Sequence, residues 1–87
     1  MDLIQVMKAL ADETRTRIVN LLNQSELCVC ELEYLLGINQ SNASRHLNKL
    51  TTSNIIAYEK RALYVYYKIN QEIIDEFPFI KELMEKE

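Results

Sequence analysis

Residues 29–52 read VCELEYLLGINQSNASRHLNKLTT and contain two helical patterns separated by a short turn. Apolar residues spaced three or four apart predict a helix over about Val29–Leu36, and Gly37 is a typical C-terminal stop. Asn39 is a suitable N-cap for a second helix over about Gln40–Thr52. Two helices joined by a turn of this length are typical of a helix-turn-helix.

The second of these helices has two chemically different faces. Ala43, Leu47 and Leu50 form a narrow apolar stripe, which predicts the buried side. The opposite side carries hydrogen-bonding side chains and a guanidinium. These suit the major groove of DNA, although a solvated surface is the alternative. His46 lies beside the apolar stripe, so packing competes with a phosphate contact there. The predicted DNA contacts of this helix are Gln40, Ser41, Asn42, Ser44, Arg45, His46, Asn48 and Lys49.

Two segments rich in β-branched and aromatic residues follow the helix-turn-helix. Ile55–Lys60 and Leu63–Ile69 predict two strands, with Arg61-Ala62 as a short connection that lacks glycine. A hairpin in this position is a wing. Lys60 and Arg61 at its tip are predicted to reach DNA phosphates, with an ordinary charged loop as the alternative.

Further helical patterns flank this unit. A first helix is predicted over about residues 2–11, and Asp12 is the predicted N-cap of a second. Near the C-terminus an apolar stripe is interrupted at Pro78, which should kink or split the helix. This stripe and the first helix are predicted to form a two-fold dimer surface, with packing inside one monomer as the alternative. The stripe consists of Ile73, Phe77, Ile80 and Met84.

Composition indicates one ordinary globular domain. The 87 residues are 48% hydrophobic and 26% charged, so residues 1–87 are predicted to form a single domain. The helix and strand patterns above make it mainly α with a β-hairpin. The net charge is -3, but residues 39–68 carry five basic residues and one acidic residue, a local charge of +4 that can attract DNA. The sequence has neither a membrane-length apolar run nor a secretory signal, which predicts a cytoplasmic protein.

Cys28 and Cys30, the only cysteines, offer two soft sulfur ligands beside the helix-turn-helix. A buried apolar role and a sensor of thiol oxidation are alternatives. On a regular helix these side chains would point about 200° apart, so chelation is expected to unwind the first turn of the helix at Val29–Leu36. No glycine-rich oxyanion loop or activating pair accompanies the thiols, which argues against an enzyme.

Five segments in this order resemble the ArsR family of winged-helix metalloregulators. They are residues 9–15, 26–32, 36–41, 44–47 and 65–69, which read ALADETR, ELCVCEL, LGINQS, SRHL and VYYKI. The resemblance implies a winged helix-turn-helix that forms a homodimer through its N- and C-terminal helices. It also implies a repressor that binds an inverted-repeat operator in double-stranded DNA and leaves it when an inducer binds.

The Cys-Val-Cys segment resembles the branch of this family that senses trivalent arsenic and antimony. The resemblance implies that Cys28 and Cys30 are the inducer ligands and that no other cofactor is required. Glu33 occupies the position where many relatives have a third cysteine. Inorganic arsenite would therefore need a third ligand from elsewhere, whereas a monomethylated arsenical needs only two thiolates. A reactive-sulfur sensor and a winged-helix module that binds protein are the alternative functions.

Overall fold

The computed structural model describes residues 2–85 and confirms a mainly α fold with a β-hairpin. Within these residues the elements are α1 (Leu3–Leu10), α2 (Glu13–Gln24), β1 (Leu27–Cys28), α3 (Val29–Leu36), α4 (Gln40–Thr52), β2 (Ile56–Arg61), β3 (Tyr64–Ile69), α5 (Gln71–Glu76) and α6 (Phe79–Glu85). None of the helices in this part of the chain combines the length and hydropathy needed to cross a membrane.

The ends of α3 and α4 are determined locally. Gly37, at the end of α3, has a left-handed backbone with φ of 67°, which glycine adopts without steric cost. Asn39 then accepts a hydrogen bond from the backbone N–H of Asn42 at 2.8 Å and caps α4. Both helices have the predicted bounds. Asp12 likewise accepts from the backbone of Arg15 and caps α2, as predicted.

The sheet contains a strand that periodicity did not indicate. The two-residue β1 pairs antiparallel with β3, in the order β1-β3-β2. In this register Leu27 faces Tyr67 and Cys28 faces Tyr66. The first cysteine is therefore joined by backbone pairing to one strand of the wing.

The turn of the wing lies one residue later than predicted. Arg61 pairs with Tyr64, so the two turn residues are Ala62 and Leu63 rather than Arg61-Ala62. Ala62 has φ of 56°. A side chain in this left-handed region costs about 1–2 kcal/mol, which explains why a turn at this position is hard to recognise in the absence of glycine.

The hydrophobic core corrects part of the predicted dimer surface. Ile73 and Ile80 are buried in the core of the monomer, and Phe77 and Met84 pack against it, so this stripe faces inward. Pro78 separates α5 from α6, as predicted. The large apolar side chains that remain exposed on the terminal helices are Leu3, Ile4 and Met7 of α1 and Phe79 of α6.

Candidate DNA interface and thiol site

Helix α4 presents an exposed polar face opposite its buried apolar stripe. Ala43, Leu47 and Leu50 are buried, as predicted. Arg45 lies on the exposed side, where its Nη2 donates to Oδ1 of Asn42 at 3.2 Å. The other predicted contacts on this exposed side are Gln40, Ser41, Ser44, Asn48 and Lys49. These side chains are exposed to solvent, as a contact with a macromolecule requires.

His46 does not belong to this exposed face. Its side chain is buried, and its Nδ1 lies 3.2 Å from Nη1 of Arg15 and 3.7 Å from Oδ2 of Asp12. Because a guanidinium only donates, Nδ1 accepts and the proton of the neutral ring resides on Nε2. Burial lowers the pKa of His46, which favours this neutral form. His46 therefore connects α4 to α2, and its burial favours the packing alternative over the predicted contact with DNA.

The two thiols converge at the junction of β1 and α3. Cys28 precedes the helix with extended backbone (φ -84°, ψ 167°), whereas Cys30 lies in its first turn. Their Sγ atoms are 2.9 Å apart, and both cysteines are free. Since Cys28 is outside the helix, the two sulfurs reach one point without any loss of helix. The expectation that chelation must unwind α3 is therefore wrong.

The two thiols differ in accessibility. Cys28 is buried and Cys30 is exposed, so a reagent from solvent meets Cys30 first. The hydrogen bond with Cys30, together with burial, raises the pKa of Cys28. The backbone N–H of Cys28 donates to Oε1 of Glu31 at 2.8 Å, which fixes the junction. Cys28 is therefore held as a thiol within reach of whatever binds Cys30.

The donor set around the sulfurs is small. Within residues 2–85 no group of three or more histidine, cysteine, aspartate or glutamate side chains could hold a metal ion. The pair suits a thiophilic atom that binds two sulfur ligands from the protein and already has its other ligand bonded to it. Hard cations such as Mg²⁺ prefer oxygen ligands and fit this pair poorly.

Arg61 forms ion pairs with Glu59 of β2 and with Glu26, the residue just before β1. Its Nη2 donates to a carboxylate oxygen of Glu26, and its Nε and Nη2 donate to Oε1 of Glu59 at 3.3 and 3.1 Å. Its guanidinium also lies 4.8 Å from the ring centroid of Tyr66, the residue paired with Cys28. Glu26 was not singled out from the sequence, because its contact with Arg61 depends on the pairing of β1 with β3.

The exposed α4, the turn before it and the hairpin after it define a winged helix-turn-helix protein. The model for bacterial regulatory proteins of the arsR family matches residues 12–58. The chain belongs to this family. The solution structure of the homodimeric winged helix-turn-helix DNA-binding domain from Mycobacterium bovis superimposes with a TM-score of 0.82 at 26% identity. That superposition covers 95% of this chain and 78% of that one.

Two curated relatives indicate the range of function in the family. The arsenical resistance operon repressor of Escherichia coli is 44% identical over 71 residues, which cover 80% of this chain and 61% of the relative. The cadmium resistance transcriptional regulatory protein CadC homolog of Staphylococcus aureus is 37% identical over 87 residues, which cover 99% of this chain and 67% of the relative. The chain spans about half to two thirds of the length of the first curated relatives it matches.

Proposed function

We propose that this chain is a transcriptional repressor that a trivalent arsenical or antimonite releases from operator DNA by binding Cys28 and Cys30. The observation that carries the proposal is the 2.9 Å separation of the two Sγ atoms at a junction shared by the helix-turn-helix and the wing. The name of the Escherichia coli relative, an arsenical resistance operon repressor, supports this choice of inducer over cadmium.

The proposed DNA interface is the exposed polar face of α4. Arg45 can bond guanine and Asn48 can bond adenine in the major groove, and the neighbouring polar side chains can bond phosphates or bases. Lys60 on the wing remains a proposed phosphate contact. Arg61 can contact a phosphate only if its hydrogen bonds with Glu26 and Glu59 break.

The proposed repressor is a homodimer. The terminal helices expose apolar surface that a second copy of the chain would bury. The exposed side chains are Leu3, Ile4 and Met7 of α1 and Phe79 of α6. The neighbour from Mycobacterium bovis is described as homodimeric. A two-fold dimer would present two copies of α4 to DNA and would read an inverted repeat.

Binding of the inducer is a condensation without oxidation or reduction. Each thiol gives its hydrogen to a hydroxyl group on trivalent arsenic, so one As–O bond is replaced by an As–S bond and one water leaves. Two such steps use both cysteines. A monomethylated arsenical is then complete, whereas arsenite keeps one hydroxyl or takes a third ligand from outside the pair.

Inducer binding reaches the DNA interface through β1 in this proposal. Cys28 pairs with Tyr66 of β3, and Glu26, two residues earlier, holds Arg61 at the end of β2. A centre bonded to both sulfurs would fix the β1–α3 junction and bias the wing towards an arrangement with lower affinity for DNA. Coupling of this kind requires different inducer affinities in the two arrangements.

The test uses the reduced protein bound to a fluorescent duplex of its own promoter. Each candidate inducer is added in increasing concentration, and fluorescence anisotropy measures release. We expect salt-dependent binding and release by micromolar arsenite, methylarsenite or antimonite. Cadmium and zinc should act only at much higher concentration. Release by peroxide with indifference to arsenicals would instead select the thiol-redox function. Absence of salt-dependent duplex binding would reject the proposal in favour of a protein-binding module.

Replacing Glu26 tests whether Arg61 is withheld from DNA. We expect Glu26→Gln to increase operator affinity by about 2- to 5-fold, because the exposed ion pair that it weakens is screened by solvent and is only modestly stabilising. The salt slope of binding should become steeper as Arg61 turns to a phosphate. The matched control is Glu72→Gln, which removes the same charge from an exposed position on α5. Equal behaviour of the two variants would contradict the role of Glu26.

A further inference from the structure

A groove of about 490 Å³ lies between α1, the start of α2 and the recognition helix α4. Among the described residues that line it, four are basic and none is acidic. The basic residues are Lys8, Arg15, Arg45 and Lys49. Such a concentration of positive charge is unusual in a chain with a net charge of -3 and indicates an anionic ligand.

We propose that this groove binds a backbone phosphate of the duplex that α4 reads, and that Lys8 of α1 is therefore part of the DNA interface. This inference rests on the proposed function and deepens it. The sequence pattern indicated DNA contacts only on α4 and the wing, because α1 resembles a helix of a dimer surface. The inference extends the interface to a third element.

Arg15 fixes the shape of the groove. Its Nε donates to the carbonyl oxygen of Ala9 at 2.6 Å, and its Nη2 donates to that of Lys8 at 3.4 Å. Its Nη1 lies 3.2 Å from Nδ1 of the buried His46 on α4. The same guanidinium thus binds the C-terminal end of α1 and the inner side of α4. Arg15 is a positioning residue that sets the distance between Lys8 and the basic residues of α4.

Charge and position favour DNA as the occupant. Arg45, Asn48 and Lys49 line the groove and also lie on the exposed polar face of α4. A duplex whose bases meet Arg45 and Asn48 must bring its backbone close to the mouth of the groove. Because Lys8 is exposed, its ammonium can approach a phosphate without the cost of leaving a buried site.

The experiment measures the affinity of the full chain for its promoter duplex between 50 and 200 mM salt. Removal of one phosphate-binding ammonium in Lys8→Gln should make the slope of log affinity against log salt shallower by about 0.9 for each protomer that contacts the duplex. If one protomer makes this contact, the ratio of wild-type affinity to Lys8→Gln affinity should fall about 3-fold as the salt is raised from 50 to 200 mM. Lys8→Arg should keep the wild-type slope, because it retains the positive charge.

Lys81→Gln is the matched control, since it removes an exposed lysine of α6 that lies outside the groove. Equal slopes for Lys8→Gln, Lys81→Gln and wild type would overturn the inference while leaving the proposed function intact. Direct binding of inorganic pyrophosphate that Lys8→Gln abolishes, together with an unchanged salt slope for duplex binding, would also overturn it in favour of a small-anion pocket. Wild type that binds no duplex would reject the function and the inference together.

Discussion

Serine in place of Cys28 or Cys30 is expected to abolish release from the operator while leaving operator affinity within about two-fold of wild type. A hydroxyl is a hard ligand that does not replace thiolate at a thiophilic centre. Loss of one sulfur also removes the chelate, and two linked contacts commonly exceed one by about 10²- to 10⁴-fold in affinity. We therefore expect each variant to need at least about 100-fold more methylarsenite for half-release, measured by anisotropy on the promoter duplex.

The two substitutions provide controls for each other. Cys28 is buried and caps α3, but serine is a favourable N-cap, so Cys28→Ser should keep the helix. Cys30 is exposed, so Cys30→Ser should leave the core unchanged. Circular dichroism of both variants should match wild type. Normal release from the double variant would reject the thiol pair as the inducer site.

The convergence of the thiols changes how release is explained. An inducer that had to unwind α3 would break helix hydrogen bonds and packing against the core, and its net affinity would fall by that free energy. The extended backbone of Cys28 removes this cost, since both sulfurs already face one point. The route to DNA that we propose is the pairing of Cys28 with Tyr66 on the wing. In the proposed mechanism the inducer acts by changing the arrangement of the wing and leaves α3 folded.

The elements predicted correctly are those whose signals are local. Gly37 and Asn39 specify a C-terminal stop and an N-cap through their own backbone and side chain, so the bounds of α3 and α4 follow from the sequence. The apolar stripe of α4 likewise follows from its period, and Pro78 splits the last helix because it cannot donate a helix hydrogen bond.

The features that were missed depend on contacts between distant parts of the chain. β1 is only two residues long and exists because β3 pairs with it. Arg61 bonds a glutamate 35 positions away, and His46 is buried against an arginine 31 positions away. Neither contact leaves a periodic signal. The expectation that chelation unwinds α3 failed because it applied helical geometry to both cysteines, although Cys28 precedes the helix and has extended backbone.

The second large effect expected is on stability, from Leu47→Ala in the middle of the recognition helix. Leu47 is 1% exposed and belongs to the core, on the side of α4 opposite the proposed DNA contacts. Truncation of a buried leucine to alanine typically costs about 2–5 kcal/mol, because less apolar surface is buried and a cavity remains. For a domain of this size that is a large part of the free energy of unfolding, which is about 0.05–0.15 kcal/mol per residue.

Urea denaturation at a fixed protein concentration measures this effect, since a dimer is stabilised by mass action. We expect the midpoint for Leu47→Ala to fall sharply with little change in slope. The control is Leu63→Ala at the wing tip, where the side chain is 90% exposed and truncation should change the free energy of unfolding by less than about 0.5 kcal/mol. A decrease below about 1 kcal/mol for Leu47→Ala would contradict the core described above. If the decrease is as expected, Leu47 anchors the helix from inside while its polar face remains free to contact DNA.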